Sequence, residues 1–290
     1  MKHNIREHSQ NMLHHLYINP LEKCNLHCKI CYTKKTSDIL SEKQILDFID
    51  RYQNEVEVKV ITFCGGEVMT LPYFPHLVNT LTQKGIFIQI ITNGTIDNLV
   101  KFNNPNNINL IISIDGPEKY HDANRGKGMF QKSITFLRKG QYMGFHTEIF
   151  SIVTKQNLPL IPQFEEYLKQ FKNIDITYHP RKPLSYLLIH PVSNIKGEVS
   201  GFDFLGEDEI IQLMKTKKVF PPNSLGCCQI SLTSNGNIFG CCEGFDKIGT
   251  IKDPIPQLIN NLKNKIKGPC LGCIQPDFMC GIKNVINKCL

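Results

Sequence analysis

No apolar run in the sequence approaches the roughly 18 residues a membrane-spanning helix needs. The first twenty residues carry Lys2, Arg6 and several histidines but no apolar segment, so a secretory signal is not expected. Long polar or repetitive tracts are also missing, and with 41% hydrophobic and 20% charged residues the chain is expected to be globular. Net charge is +7, yet no basic cluster is interleaved with aromatics, so nucleic acid is not an expected partner. The locally basic Lys263–Lys267 segment reads as the solvated face of a helix. What the chain does have is twelve cysteines, and without a secretory signal these point to metal rather than disulfides. A reducing cytoplasm is the expected location, and any clusters held there are expected to be oxygen-sensitive.

Three of those cysteines fall within eight residues, Cys24-Asn-Leu-His-Cys28-Lys-Ile-Cys31, followed by Tyr32. Three thiolates can hold a four-iron, four-sulfur cube and leave one iron without a protein ligand, whereas four would close it. An open position is what a catalytic metal site keeps for a substrate. Zinc is the alternative, but it needs a fourth ligand. His27 is wedged between two ligands and is a poor candidate, whereas Cys64 could be recruited.

Three further landmarks end apolar runs: Cys64-Gly65-Gly66-Glu67, Thr92-Asn93-Gly94, and Ser113-Ile114-Asp115-Gly116-Pro117. The last is followed by His121-Asp122 and Asn124-Arg125-Gly126. With the cysteine triplet, these resemble the radical S-adenosylmethionine (SAM) superfamily, in particular its branch with a cysteine-rich SPASM or twitch extension. The resemblance runs from about Tyr17 to Cys280. It implies that Cys24, Cys28 and Cys31 ligate a [4Fe-4S] cluster whose free iron chelates SAM. Gly65, Gly66 and Glu67 would contact the SAM amino group, Ser113 the ribose, and Arg125 the carboxylate, which a forked guanidinium suits. Tyr32 would lie near the adenine. Cys64 stands where many relatives carry Thr, Ser or Gln. It is either a small residue that fits or a thiol participant inside the barrel.

Apolar, β-branched runs recur at His15–Asn19, Glu57–Phe63, Ile86–Ile91, Ile108–Ile114, Glu148–Val153 and Ile174–Tyr178. Helical patterns separate them. Ser41 and Gln44 form a capping box ahead of the stripe Ile45, Phe48, Ile49, Tyr52. Met129–Tyr142 gives another helix, and Ile161, Phe164, Leu168 and Phe171 a third. Such alternation requires parallel strands with crossover helices. Six units predict an α/β fold, a partial (β/α)6 TIM-like barrel open on one side, over residues 1–183. Chemistry is expected at the carboxyl ends of its strands, where all four landmarks fall. His179, at the end of the sixth strand, either faces substrate or merely finishes the strand.

From residue 184 to 290 the pattern predicts a small cysteine-rich hairpin-plus-helix domain. Asn235-Gly236 sits between two alternating runs and predicts a two-residue turn. That register pairs Ile230 with Cys241 and puts Cys228 and Cys241 on one face; a slip of one residue would exchange them. A helix with Asp253 as cap and Ile255, Leu258, Ile259, Leu262 and Ile266 as stripe follows, then Cys270 and Cys273. The resemblance implies at least one auxiliary iron–sulfur cluster, with Cys228, Cys241, Cys270 and Cys273 as first choice. Cys270, Cys273, Cys280 and Cys289 around one cluster is a second arrangement, and a second cluster completed by the doublets Cys227-Cys228 and Cys241-Cys242 is a third. The bare spacing equally fits a zinc-ribbon-like staple.

The resemblance implies reductive cleavage of SAM to a 5′-deoxyadenosyl radical, with electrons from a reduced flavodoxin- or ferredoxin-type donor. The oxidised substrate would be a peptide or protein side chain. The alternatives are a small-molecule dehydrogenase or cofactor-biosynthesis enzyme, and a metal-stapled binding protein without SAM chemistry. The short stretch before the first strand leaves little room for a separate peptide-recognition domain.

Overall fold

Six strands follow one another in parallel: β1 (His15–Ile18), β2 (Val60–Phe63), β3 (Phe87–Thr92), β4 (Ile108–Ser113), β5 (His146–Val153) and β6 (Asp175–Pro180). They belong to a computed structural model that describes residues 13–182, 198–217, 227–244 and 246–266. Helices cross between strands as α1 (Glu42–Gln53), α2 (Phe74–Gln83), α3 (Glu118–Arg125), α4 (Met129–Tyr142) and α5 (Ile161–Leu168). Strand alternation divides the two faces of the sheet. Leu16, Ile18, Ile61, Phe63, Ile88 and Ile90 are fully buried in the hydrophobic core. The intervening residues are polar and face inward. Thr62 Oγ1 donates to Gln89 Oε1 at 2.7 Å and so accepts from His15 Nε2, also at 2.7 Å.

The first helix starts as the sequence predicts. Gln44 N donates to Ser41 Oγ at 3.2 Å, and Ser41 N donates to Gln44 Oε1 at 2.9 Å. Ile45, Phe48, Ile49 and Tyr52 then bury their side chains. A cap of this kind contributes about 1 kcal/mol; the buried stripe contributes several times that.

After β6 come α6 (Glu207–Thr216), β7 (Cys227–Leu232), β8 (Asn237–Cys241), β9 (Lys247–Thr250) and α7 (Ile255–Ile266). Strand β7 pairs in parallel with β1, Tyr17 opposite Ser231 and Ile18 opposite Leu232. The sheet order is therefore β6-β5-β4-β3-β2-β1-β7-β8-β9, with β8 and β9 antiparallel, and β6 and β9 end it unpaired with each other. This is the open, partial barrel expected, with the hairpin added to its β1 edge. Ile230, Leu232, Ile238 and Leu258 sit in the same apolar cluster as the barrel strands, so the second segment shares the barrel's core.

The hairpin register differs from the expected one. Leu232 faces Ile238, Ser231 faces Phe239, and a bulge brings Cys227 opposite Cys241. Ile230 does not pair with Cys241. The cause is a three-residue loop in place of two. Thr233 N donates to Asn237 O at 2.9 Å, Gly236 N donates to Thr233 O at 2.8 Å, and Gly236 takes φ +78°. Only a residue without Cβ enters that left-handed region cheaply, and such a glycine closes three-residue hairpins. Cys227, not Ile230, is the backbone partner of Cys241, and its side chain lies outside the described residues. Cys270, Cys273, Cys280 and Cys289 lie outside the described residues, as does the Cys228 side chain.

Candidate active site

The carboxyl ends of the strands surround a cavity of about 320 Å³. Cys24, Cys28 and Cys31, on the loop after β1, line it with half-buried side chains. That loop is held from two sides. Asn93 Nδ2 donates to Asn25 Oδ1 at 2.9 Å and approaches Cys24 Sγ at 3.7 Å. On the other side, Asn124 accepts from Lys29 N through its carbonyl at 3.0 Å and from Ile30 N through Oδ1 at 3.2 Å. Burial raises the thiol pKa of both Cys24 and Cys28, so a positive metal centre is what would favour their thiolates. Among the described residues, no three Cys, His, Asp or Glu side chains converge closely enough to grip a single ion.

Gly65 and Gly66 let the β2 loop lie directly on the chain entering Cys24. A Cβ on Gly66 would stand 1.8 Å from Lys23 O, and one on Gly65 2.0 Å from Asn19 Oδ1. Gly66 N donates to Leu21 O at 2.8 Å and Glu67 N to Lys23 O at 2.9 Å. Gly65 also has φ +127°, which L side chains rarely adopt.

Glu67 itself turns beneath this loop. Its carboxylate accepts from Met69 N at 3.1 Å, Thr92 Oγ1 at 2.8 Å and Asn93 N at 2.7 Å, and it is 1% exposed. Burial raises its pKa against those bonds. It is not among the residues lining the cavity. Glu67 thus binds the second landmark, Thr92-Asn93, to the first.

Arg125 and Ser113 do line the cavity. Arg125 makes a two-point ion pair with Asp115 at 2.7 and 2.9 Å, and Asn124 Nδ2 donates to the same carboxylate at 2.8 Å. Burial works to raise the Asp115 pKa, but the Arg125 charge and these bonds bring it below the ordinary value.

Tyr32 lines the cavity too. Its ring lies under Lys182 Nζ at 5.7 Å, with Glu243, Cys64, Cys242 and Glu22 as its charged or titratable neighbours. Ile30, between Cys28 and Cys31, packs with Tyr120, Phe202 and Ile152. Cys64 lines the cavity, hydrogen-bonded to Tyr17 and with its pKa pushed far up by burial. His179 also lines it, its ring tilted 48° against Phe150 with centroids 4.4 Å apart. Burial lowers its pKa to about 3, so the ring is neutral. Other wall residues carried no signal in the motifs. Lys182 and Glu243 form a largely buried ion pair at 2.7 Å. Burial first of all lifts the Glu22 pKa to about 7.

A parallel partial barrel with three cavity-facing cysteines at the mouth, stapled to a glycine pair, defines an enzyme class that works at an open iron–sulfur centre. The family model described as the radical SAM superfamily matches residues 18–173. The chain belongs to this family, whose members use a [4Fe-4S] cluster and SAM. An uncharacterized protein of Methanocaldococcus jannaschii is 26% identical, covering 91% of this chain and 96% of its own length. A serine-type anaerobic sulfatase-maturating enzyme of Bacteroides thetaiotaomicron is 29% identical over 56% of this chain, which spans only 44% of that relative. The solved structure of native anSMEcpe with bound AdoMet superposes with a TM-score of 0.72 at 19% identity, covering 87% of this chain and 82% of that one. The same protein has been solved with AdoMet and the Cp18Cys peptide.

Proposed function

We propose that this protein reductively cleaves SAM at a [4Fe-4S] cluster held by Cys24, Cys28 and Cys31 and oxidatively modifies a peptide or protein side chain. The observation that supports it most is the shared cavity. The three thiols, Gly65-Gly66, Ser113 and Arg125 all open onto one space beside a polar wall of Tyr17, Tyr32, Cys64, His179 and Glu243. When bound, the cluster supplies the electron that cleaves SAM to a 5′-deoxyadenosyl radical able to take a hydrogen atom from the substrate. The chain's own part is placement. Asn93 and Asn124 fix the cluster loop, Glu67 fixes the glycine turn, and Asp115 orients Arg125 toward the SAM carboxylate. The sulfatase-maturating name of a relative and the peptide held by anSMEcpe favour a peptidyl substrate over a small metabolite. Cys228 and Cys241 with Cys270 and Cys273 would hold an auxiliary cluster, which would supply an acceptor for the electron left on the substrate.

The test is iron and sulfide content after anaerobic reconstitution, wild type beside a Cys24/Cys28/Cys31→Ala variant, with SAM cleavage measured in parallel. The proposal expects about eight irons falling to about four, with cleavage lost. Zinc in place of iron, or cleavage retained in the variant, would overturn it.

A further inference from the structure

The chain that carries the first cysteines alternates. Glu22, Cys24, Leu26, Cys28 and Ile30 line the cavity, while Lys23, Asn25, His27 and Lys29 between them are exposed and do not. This stretch is therefore a wall one side chain thick, with thiols on its inner face and cations on its outer face. Lys34, also exposed and outside the cavity, extends the outer face. Glu22 is the single carboxylate between residues 21 and 37, and it is buried on the inner side. Among the described residues, Lys23, Lys29 and Lys34 make no ion pair, whereas Lys43, Lys84, Lys139 and Lys169 each have an acidic partner. Lys29 is nevertheless held in place. Its backbone N donates to Asn124 O at 3.0 Å, and its ammonium lies over the Phe202 ring at 5.8 Å. A row of cations without counter-charges sets up a field that attracts an acidic partner.

We propose that Lys23, Lys29 and Lys34 dock an acidic protein that delivers single electrons through this wall. The inference rests on the cluster reading above. A cluster held by the triplet can be approached from two sides. SAM and substrate would occupy the cavity side when the electron is needed, which leaves the outer face to the donor. One electron leaves the donor's reduced cofactor and enters the cluster: the donor is oxidised by one electron, the cluster is reduced by one, and no bond is made or broken. Electron-transfer encounters bury little surface, so steering by charge, rather than a tight interface, sets their rate. Lysines that are exposed and not tied to neighbouring carboxylates suit that use.

The experiment uses the anaerobically reconstituted full chain and a bacterial flavodoxin, a small acidic protein whose reduced flavin gives up one electron at a time. Titration calorimetry with oxidised flavodoxin reads binding, and stopped-flow bleaching of the cluster reads reduction by the fully reduced form. Lys23/Lys29/Lys34→Gln should weaken binding and slow reduction by about tenfold at low ionic strength. Wild type should lose the same advantage above about 0.3 M salt, where exposed charges are screened. Reduced methyl viologen, a small cation that needs no docking, should reduce the variant at least as fast as wild type, which shows that the variant is folded and its cluster intact. Lys59/Lys101/Lys172→Gln removes as much charge from exposed positions ahead of β2, β4 and β6, at the opposite end of the barrel, and should match wild type within about twofold. The proposal is overturned if the two triple variants fall alike, which would make net charge the cause, or if neither falls. It is also overturned if binding weakens while reduction does not, which would mark the patch as the dock of another acidic molecule, or if methyl viologen reduces wild type and flavodoxin does not. If wild type assembles no cluster at all, the function reading itself fails and this inference with it.

Discussion

Arg125 and Asp115 are joined by two parallel hydrogen bonds, Nε to Oδ2 at 2.7 Å and Nη2 to Oδ1 at 2.9 Å, with the carboxylate fully buried and the guanidinium side chain 10% exposed. The pair ties the end of β4 to α3, and Asn124, which shares the same carboxylate, ties both to the cluster loop. Removing one partner strands the other's charge. Asp115→Asn should therefore cost about 3–5 kcal/mol in urea unfolding and lower the iron retained by the first cysteine triplet. Pairing it with Arg125→Met should restore part of the stability. A single variant within about 0.5 kcal/mol of wild type would show that the pair is dispensable.

Stability should fall on mild acidification because the buried His121 and the half-buried His15 and His179 are held neutral. Burial lowers His15 and His121 to about 4 and His179 to about 3, against an ordinary value of 6.5. Between those folded values and 6.5 the unfolded chain binds more protons, so stability is greatest above pH 6.5 and declines as pH drops toward 4. The summed loss at the low end is on the order of several kcal/mol. Urea midpoints at neutral pH and near pH 5 measure it. His121→Gln, which cannot titrate, should flatten the slope; an unchanged slope would assign the acid sensitivity to other groups.

Gly66 tolerates no side chain. A methyl at its Cβ position would enter Lys23 O at 1.8 Å, and backbone cannot swing aside as a long side chain can. Gly66→Ala should displace the segment entering Cys24 and abolish iron binding at the triplet, while a Gly206→Ala control, whose Cβ would meet nothing closer than Glu209 Oε2 at 3.5 Å, should keep its iron. Iron content of the two purified variants decides the matter.

Lys182 and Glu243 bridge the end of β6 and the loop after β8 at 2.7 Å, with side chains 10% and 13% exposed. A double-mutant cycle with Lys182→Met and Glu243→Gln should give a coupling energy of about 1–3 kcal/mol. The double variant should be more stable than Lys182→Met alone. Zero coupling would mean that the two charges are held independently.

The strands, the crossover helices and the capping box of α1 could be read from the sequence because local patterns decide them: alternation along β3, a stripe on α1, Ser41 three residues before Gln44. The hairpin register could not. Asn235-Gly236 announces a turn, but the choice between a two- and a three-residue loop depends on which carbonyl Gly236 N meets. The four landmarks were legible as positions, and their division of labour was not. That Glu67 supports Thr92 and Asn93, that Tyr32 faces Lys182, and that Glu22 lies on the cavity wall all depend on contacts between distant strands. Motif spacing carries no record of them. Asn93 and Asn124 were visible inside their motifs, but their hold on the cluster loop was not.

The pairing of β7 with β1 has a consequence for biosynthesis. Gln229 Nε2 donates to His15 O across 214 positions of chain, so the β1 edge that precedes the cysteine triplet stays uncovered until nearly the whole described chain has left the ribosome. An open parallel edge invites wrong partners, and pairings this distant form slowly. Newly made chains should thus pass through an interval when the triplet is present but its strand is unfinished. Chaperones and iron–sulfur delivery factors would meet the protein in that interval, and cells short of either should accumulate it as aggregate rather than as folded apoprotein.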